Sequence, residues 1–476
     1  MSETGPDPRR WKALAVLCVA SLFITLDSQI VTLALPSMKT DLGLSSDGMQ
    51  WVLSGYLLSF GGLLLLGGRS ADLLGARRVF MIGTFLFLVS SLLCGLAWSP
   101  GVLLAARVVQ GMSAALMAPS ALSILMTTFT EPAERNKALA FWSGTMGFGA
   151  TAALLIGGPI TEFLGWPWIF YINIPVAAVL LTLSPVVLRE SRPAAGARSF
   201  DPVGALTITV ALVAAVFAIA EAPRRGWADP LTIGMLAGAV VLTGIFVLVE
   251  RRSAAPLVPL RIFRSRGLVG GNLVMALLGA SAFGMALGTS LYGQQVLGYS
   301  AVAFGLGFLP MTVVNIGGSA LGQSMVARFG VRTVAIAGLL LIGTGCLLLT
   351  TISANGDYWL DLFFALVVFG PGLGACFVAS SIAALSSVAP EESGLASGIN
   401  TAAFQIGGAI GVAIVTSVST SFAIAAEPKV AITEGLRAGF GVVVLFALIG
   451  IAVTVTLLAP HRRAKTEPVE RTRSGV

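Results

Sequence analysis

The chain has 476 residues, of which 56% are hydrophobic and only 11% charged, and its formal net charge is +7. About a quarter of the residues are charged in ordinary soluble domains, so this composition excludes a soluble globular protein and indicates an integral membrane protein. The basic residues lie in short loops beside apolar segments rather than in one patch. They are typical of topology signals, so we expect no nucleic-acid partner.

Apolar segments long enough to cross a bilayer recur along the whole chain. A spanning helix needs about 20 such residues, and fourteen windows of this kind lie between residues 13 and 458. No alternation of period two suggests a β-barrel. The sequence therefore predicts an all-α polytopic membrane protein with 14 transmembrane helices. Because Lys and Arg concentrate in the terminal segments and in alternate loops, we expect both termini to be cytoplasmic.

The first apolar segment contains an acid, Asp27, within FITLDSQIVTLALP. If its helix starts near Ala13, a rise of about 1.5 Å per residue places Asp27 roughly 21 Å into the membrane, just past the middle. An ionisable residue at that depth is costly and indicates a functional site. The alternative is a structural acid that pairs with a neighbouring helix.

A short charged loop follows the second segment and reads GGRSADLLGARR at 67–78. Gly67 and Gly68 allow close approach of helices, Gly75 permits a tight turn, and Asp72 can pair with Arg77 or Arg78. Such a cluster can latch one conformation, although exposed pairs contribute only about 0–1 kcal/mol each, so a latch needs the whole network. The alternative is a topology loop whose charges are solvated.

The fourth and fifth segments carry two further patterns. Arg107 lies about five residues inside the window 102–126 and is followed by Gln110. A guanidinium there either faces a polar cavity or snorkels to the headgroups. In the fifth segment, small residues allow a neighbouring backbone to approach closely; they are Gly144, Gly147, Gly157 and Gly158, with Pro159 just beyond.

Few other polar residues fall inside the apolar windows. Each could line a polar cavity or bond between helices, and packing roles are at least as probable as contact with a substrate. For Glu221 the favoured interpretation is an interfacial acid near Arg224 and Arg225. The candidates are Gln110, Asn173, Glu221, Asn315, Asn400 and Gln405.

The domain organisation follows from two basic linkers, LRESRPAAGARSFD and ERRSAAPLVPLRIFRSRG, which bracket the seventh and eighth segments. Without that hairpin, six plus six helices remain, and GRSADLLGARR in the first half aligns with QSMVARFGVRT in the second on Gly75 and Gly330. Parallel repeats of six helices are typical of secondary transporters. We predict a six-helix bundle at 1–188, linkers and an inserted two-helix hairpin at 189–266, a second six-helix bundle at 267–458, and a basic tail at 459–476.

The sequence shows no motif that would bind a nucleotide or a metal. No GxxxxGK[ST] phosphate loop is present, so direct coupling to ATP is not expected, and the four cysteines show no metal-ligand spacing. We therefore predict no metal and no cofactor. The remaining energy source is an ion gradient, and a buried carboxylate with few companion ligands favours a proton over sodium.

Five segments together resemble the major facilitator superfamily, and within it the fourteen-span drug:proton antiporters. They are LDSQIVTLALP, GGRSADLLGARR, RVVQG, GWPWIFYINIP and NTAAFQIGGAIGVAI, spread over nearly the whole chain. The resemblance implies a proton-coupling role for Asp27 and Arg107 and a gating role for the 67–78 loop. It also implies an antiporter-type fifth helix, but Ala153 and Leu154 stand where the family shows Gly-Pro.

Three functions remain open at this stage. The leading one is a plasma-membrane exporter that exchanges protons for a hydrophobic or monocationic small molecule, by alternating access of two halves. Uptake of a small nutrient by proton symport is the alternative that the missing Gly-Pro pair favours. The third is a receptor or scaffold that does not transport. We expect a monomer in the lipid bilayer.

Overall fold

The computed structural model describes residues 9–129, 131–190, 202–253, 260–388, 393–424 and 426–458, and every regular element in these ranges is helical. Short π-helical turns extend α5, α10 and the start of α13, at Ile160–Leu164, Tyr292–Val296 and Tyr358–Phe363, and a 3-10 turn covers Leu260–Arg264. The α-helices are α1 Arg10–Leu42, α2 Ser46–Leu74, α3 Ala76–Gly95, α4 Pro100–Thr128, α5 Pro132–Pro159, α6 Trp168–Tyr171, α7 Asn173–Val187, α8 Pro202–Arg225, α9 Pro230–Arg252, α10 Arg266–Leu291, α11 Ala301–Phe329, α12 Val331–Leu349, α13 Phe364–Leu385, α14 Ser393–Phe422 and α15 Pro428–Leu457.

Twelve spans in the described ranges are long and apolar enough to cross a membrane, with α6 and α7 counted together. Two shorter apolar stretches, Leu155–Leu164 and Leu206–Ile219, lie in α5 with its extension and in α8. The prediction of an all-helical polytopic membrane protein is therefore confirmed. The count of fourteen stays a prediction.

The helices pack as two groups, α1–α7 and α10–α15, which meet where α2 lies against α14 and α5 against α11. We call the end of the molecule where α1 begins and α15 ends the near end. There Arg9 Nη1 donates to the carbonyl of Val186 at the end of α7, and Gly270 of α10 lies beside Leu457. The opposite end is the far end.

The two groups are in close contact at the far end. Gly158 of α5 abuts the backbone of Ala301 and Val302, so that a Cβ on Gly158 would lie 2.8 Å from Val302 Cα. Glu162 Oε2 accepts the Val302 N–H at 3.3 Å, and Ser290 Oγ donates to the Thr32 carbonyl at 3.0 Å. Each group thus contributes one side chain that bonds to the backbone of the other group, and the two groups are in contact at the far end. We therefore describe the far end as closed.

The α8 helix bridges the two groups on the α2 and α14 side. Thr209 Oγ1 donates to the Gly62 carbonyl of α2 at 3.4 Å, and Ser417 Oγ of α14 donates to the Ile219 carbonyl at 2.8 Å. The partner helix α9 packs mainly against α8 and exposes apolar side chains such as Val240, which is 73% exposed. An exposed apolar face of this kind suits contact with lipid.

The turn predicted at Gly75 is present, and the second group repeats it. Gly75 separates α2 from α3 with φ +95°, and Gly330 separates α11 from α12 with φ +83°. Residues with a Cβ rarely adopt a positive φ, so glycine is the residue that lets one long helix end and the next begin immediately. The two halves therefore use the same glycine turn at the same place.

Candidate functional site

Asp27 lies near the middle of α1 and is completely buried, with an exposed fraction of 0%. Its α-helical segment continues on both sides, so the backbone of α1 satisfies its own hydrogen bonds and the carboxyl group must find partners on other helices. An isolated buried carboxylate would be very costly. The partners come from α4 and α7.

Arg107 of α4 is the charged partner. Its Nη1 donates to Asp27 Oδ2 at 2.8 Å, and both side chains are 0% exposed. Its Nε donates to the Val52 carbonyl of α2 at 3.1 Å, and its guanidinium carbon lies 4.3 Å from the ring centre of Tyr56 and 5.9 Å from that of Phe170. The guanidinium is therefore inside the first helical group, and snorkelling to the headgroups does not describe it.

Two amides complete the shell of the carboxylate. Gln110 Nε2 and Asn173 Nδ2 donate to Asp27 Oδ1 at 2.9 and 2.8 Å. Gln110 Oε1 accepts from Arg107 Nη1 at 2.7 Å, and Gln110 Nε2 also donates to Ser91 Oγ at 2.9 Å. We call these five residues, Asp27, Ser91, Arg107, Gln110 and Asn173, the Asp27 network.

The Asp27 network has the geometry of an ionised carboxylate. Both oxygens accept, three donors point at them, and a charge-assisted bond is stronger than a neutral one. A protonated Asp27 has to donate its own O–H, yet every described neighbour of the carboxyl group already presents a hydrogen. Protonation of Asp27 therefore requires at least one donor to turn away. Ionised and protonated Asp27 thus call for two different arrangements of the network, of which the structure has the ionised one.

A small cavity of about 10 Å³ adjoins the network at Asn173, which is about the space that one water molecule needs. Within the described residues, Asn173 Oδ1 and Arg107 Nη2 are buried without a hydrogen-bond partner. The cavity lies on the near-end side of Asp27, because its lining residues precede Asp27 along α1 and follow Asn173 along α7. The lining is Phe23, Ile24, Phe87, Met117, Asn173, Val176, Ala177 and Leu180.

The 67–78 loop is held by an acid that sequence reasoning missed. Glu190, just after α7, lies 3.5 Å from Arg77 and 3.6 Å from Arg78, measured from Oε2 to each Nε. Its Oε1 accepts the Arg77 backbone N–H at 3.1 Å, and a Cβ on Gly75 would collide with it. The signal was available, because Glu190 is the acid of the LRESR segment directly after the sixth window.

Two other members of the predicted loop cluster have different outcomes. The side chain of Asp72 lies outside the described residues, so its pairing stays a prediction. Gly68 has room, since a Cβ there would lie 3.6 Å from Pro119. The predicted close approach is at Gly67, where a Cβ would overlap the Ala115 carbonyl of α4.

Two adjacent glycines of α5 contact different neighbouring helices. A Cβ on Gly157 would lie 2.5 Å from Ile30 of α1, whereas Gly158 meets α11. Gly144 and Gly147 lie in α5, and their packing falls outside the described residues. The α-helix ends at Pro159 and continues as the π-helical turn Ile160–Leu164. A change of helix type thus follows the proline directly.

The remaining polar candidates do not join the Asp27 network. Glu221 pairs with Arg225 at 3.1 Å, as expected for an interfacial acid. Asn400 donates through Nδ2 to Asn272 Oδ1 at 3.0 Å, a bond between α14 and α10. Gln405 is buried, and its Oε1 has no partner within the described residues. Asn315 is half-buried on α11.

The fold and the sequence have clear relatives. The family model of the Major Facilitator Superfamily matches residues 17–326 and 313–476. A puromycin resistance protein of Streptomyces alboniger is 39% identical over 479 residues, covering 99% of this chain and 95% of the relative. A tetracenomycin C resistance and export protein of Streptomyces glaucescens is 35% identical over 412 residues, covering 86% of this chain and 76% of the relative.

The solved structures support the same fold. A bacterial homologue of the lysosomal transporter Spinster, in an inward-facing and unoccupied conformation, superposes with a TM-score of 0.67 at 18% identity, covering 94% of this chain and 97% of that one. At this identity the likeness concerns the fold alone. The family match and the two relatives together extend over nearly the whole sequence. The chain therefore belongs to the major facilitator superfamily of membrane transporters.

Proposed function

We propose that this protein exports hydrophobic antibiotic-like molecules from the cell in exchange for protons. The observation that carries the proposal is the buried Asp27 network. It contains the one fully buried ion pair among the described residues, that of Asp27 with Arg107. Relatives that span nearly all of the chain are named for antibiotic resistance and export. Together they favour a drug exporter of the fourteen-span drug:proton antiporter type over the other transporters of the superfamily.

In this proposal the membrane topology has fourteen spans, and α8 with α9 is the inserted hairpin. The membrane is the plasma membrane and the near end is cytoplasmic, which agrees with the basic residues of the termini. The closed far end then faces outward in this proposal. A labelling experiment on single cysteines at each end would test this orientation.

The proton step follows from the two arrangements of the Asp27 network. Asp27 binds a proton in the outward-open state, which breaks its bond with Arg107. After the change to the inward-open state, Asp27 loses the proton to the cytoplasm and the bond with Arg107 forms again. The cavity beside Asn173, on the near-end side, is a suitable first step for the departing proton. The proton gradient is the energy source, and no cofactor takes part.

The test is drug accumulation in inverted membrane vesicles energised by a proton gradient, with a panel of antibiotics and dyes. We expect Asp27→Asn to abolish gradient-driven accumulation while downhill movement of the same compound continues. Normal gradient-driven accumulation by that variant would remove Asp27 from the mechanism. No accumulation of any compound by the unmodified protein would refute the export function.

Uptake by proton symport stays as a second candidate because Ala153 and Leu154 replace the family Gly-Pro pair. Ala153, at the glycine position of that pair, is 0% exposed. The two directions of transport give opposite proton movements in intact cells. Alkalinisation of an unbuffered medium when substrate is added would indicate symport.

A further inference from the structure

Three aromatic rings meet in the second helical group. Phe404 of α14 lies 5.8 Å from Phe283 of α10, at an interplanar angle of 57°, and 5.7 Å from Phe377 of α13, at 84°. Phe404 packs against two large apolar clusters, and Phe283 belongs to the one that extends into the first helical group. Phe377 is 37% exposed although its helix is packed on by α10, α11 and α12.

A polar cluster lies one helical turn from Phe404 and Phe377, toward the near end, and about three turns from Phe283 along α10. Asn400 precedes Phe404 by four residues and Ser381 follows Phe377 by four, so each pair shares one face of its helix. Ser381 Oγ donates to Asn400 Oδ1 at 3.1 Å, and Asn400 Nδ2 donates to Asn272 Oδ1 at 3.0 Å. The three side chains come from α13, α14 and α10, the same helices that supply the rings.

Asn272 is left with an unused donor. Its side chain is 8% exposed, and its Nδ2 has no partner within the described residues. A buried amide without a hydrogen bond costs about 1–3 kcal/mol, so a molecule that supplies an acceptor there gains a partner already in place. The donor favours a carbonyl or ether oxygen of a bound compound.

The surroundings carry no formal charge. In α10 and α11 the charged residues stand only at the near end, Arg266 and Arg328, while α13 and α14 contain none. A cationic compound would find no carboxylate to offset its loss of hydration. Aromatic faces in a neutral site instead suit a flat, uncharged ring system, which they contact edge-on or with an offset.

We infer that Phe283, Phe377 and Phe404 with Asn272 form a subsite for a neutral, planar aromatic compound that carries a hydrogen-bond acceptor. The rings hold the aromatic body and Asn272 Nδ2 donates to the acceptor. The inference rests on the proposed export function and narrows its substrate class. It also places proton binding and substrate binding in different helical groups, since the titrating groups lie in the first group and this subsite in the second.

The test uses the purified full-length protein in lipid nanodiscs and Nile red, a neutral planar dye with a ring carbonyl. Binding is measured by fluorescence titration after subtraction of empty nanodiscs. We expect Phe404→Leu and Asn272→Leu each to raise the dissociation constant about five-fold, from the loss of a ring contact and of a hydrogen bond. Phe404→Tyr keeps the ring and should stay within about two-fold of the unmodified protein.

The matched control is Phe422→Leu, the same change on an exposed position of α14, which should leave binding unchanged. Equal dissociation constants for all variants, or no saturable binding by the unmodified protein, would overturn the subsite. A second measurement, gradient-driven accumulation of Nile red in inverted vesicles, isolates the export function. Ring-dependent binding without accumulation of Nile red or of any compound in the antibiotic and dye panel would refute export and leave the subsite standing.

Discussion

Removing the charge of Asp27 alone should lower the free energy of unfolding by about 3–5 kcal/mol, which is the usual cost of removing one partner of a buried ion pair. In Asp27→Asn, the amide oxygen can still accept from Gln110 and Asn173, which donate at 2.9 and 2.8 Å in the unmodified protein. The amide nitrogen then faces Arg107 Nη1, so two donors oppose each other where a 2.8 Å charged bond stood. Arg107 is left charged and 0% exposed.

The assay is thermal unfolding of the detergent-solubilised protein with a thiol-reactive fluorogenic dye. Cys94, Cys346 and Cys376 are all 0% exposed, so the dye reacts with them only when the fold opens. For domains of about 200 residues, 1 kcal/mol corresponds to roughly 2–4 °C. We therefore expect Asp27→Asn to unfold at least about 6 °C below the unmodified protein.

Two further variants decide whether the ion pair is the cause. Combining Asp27→Asn with Arg107→Met removes both charges and should recover most of the lost stability, because an apolar replacement of a buried pair is often neutral. Asp41→Asn makes the same chemical change at the exposed end of α1. Its amide oxygen can still accept the Trp166 indole N–H that Asp41 accepts at 2.9 Å, so this variant should shift unfolding by no more than about 1 °C. An unchanged unfolding temperature for Asp27→Asn, or no recovery in the double variant, would refute the reasoning.

Three other predictions concern the loops and helix contacts. Gly67→Ala places a methyl group against a backbone carbonyl of α4 and should lower the free energy of unfolding by about 1–3 kcal/mol. Gly317→Ala, which has open space around it, should not lower the unfolding temperature. Equal effects of the two changes would contradict the close approach at Gly67. Glu190→Gln should change the free energy of unfolding by less than about 1 kcal/mol, because the ion pairs of Glu190 are partly exposed. It should slow transport in vesicles if the 67–78 loop gates the cycle. An unaffected transport rate would show that the contact has only a structural role. Joining Glu162→Cys to Val302→Cys, at positions already in contact, with a short cross-linker that a reductant cleaves should stop transport until the reductant is added. Continued transport by the cross-linked protein would show that the far end need not open.

The sequence predicted the charged part of the site and much less of its neutral part. The position of Asp27 follows from counting residues in one uninterrupted helix, and an acid at mid-membrane needs a cation, of which Arg107 is the candidate inside a span. Val52 and Tyr56 gave no comparable signal. One contributes a backbone carbonyl and the other an aromatic ring, and both kinds of group are everywhere in an apolar sequence.

The 67–78 loop shows the same limit of prediction, for partners that are far apart in the sequence. Its glycine turn could be predicted, because only the local backbone matters at Gly75. The partner of Arg77 could not, since Glu190 stands 113 positions away and meets it only after α3 to α7 have folded. Likewise Asn400 was recognised as polar and intramembrane, but its bond to Asn272 depends on how α10 crosses α14.

Arg107 is anchored by groups other than its acid, namely the Val52 carbonyl and the rings of Tyr56 and Phe170. A guanidinium keeps its charge at every physiological pH, so the pair with Asp27 has no net charge when the acid is ionised and a charge of +1 when it is protonated. Exchange of one proton for one neutral molecule then carries a positive charge inward. Membrane potential contributes about 2.3 kcal/mol per charge and 100 mV. Because the anchored arginine stays charged and in place, the charge of the Asp27 network changes only by that proton. The proposed export is therefore electrogenic, and voltage drives it even where the two sides have equal pH.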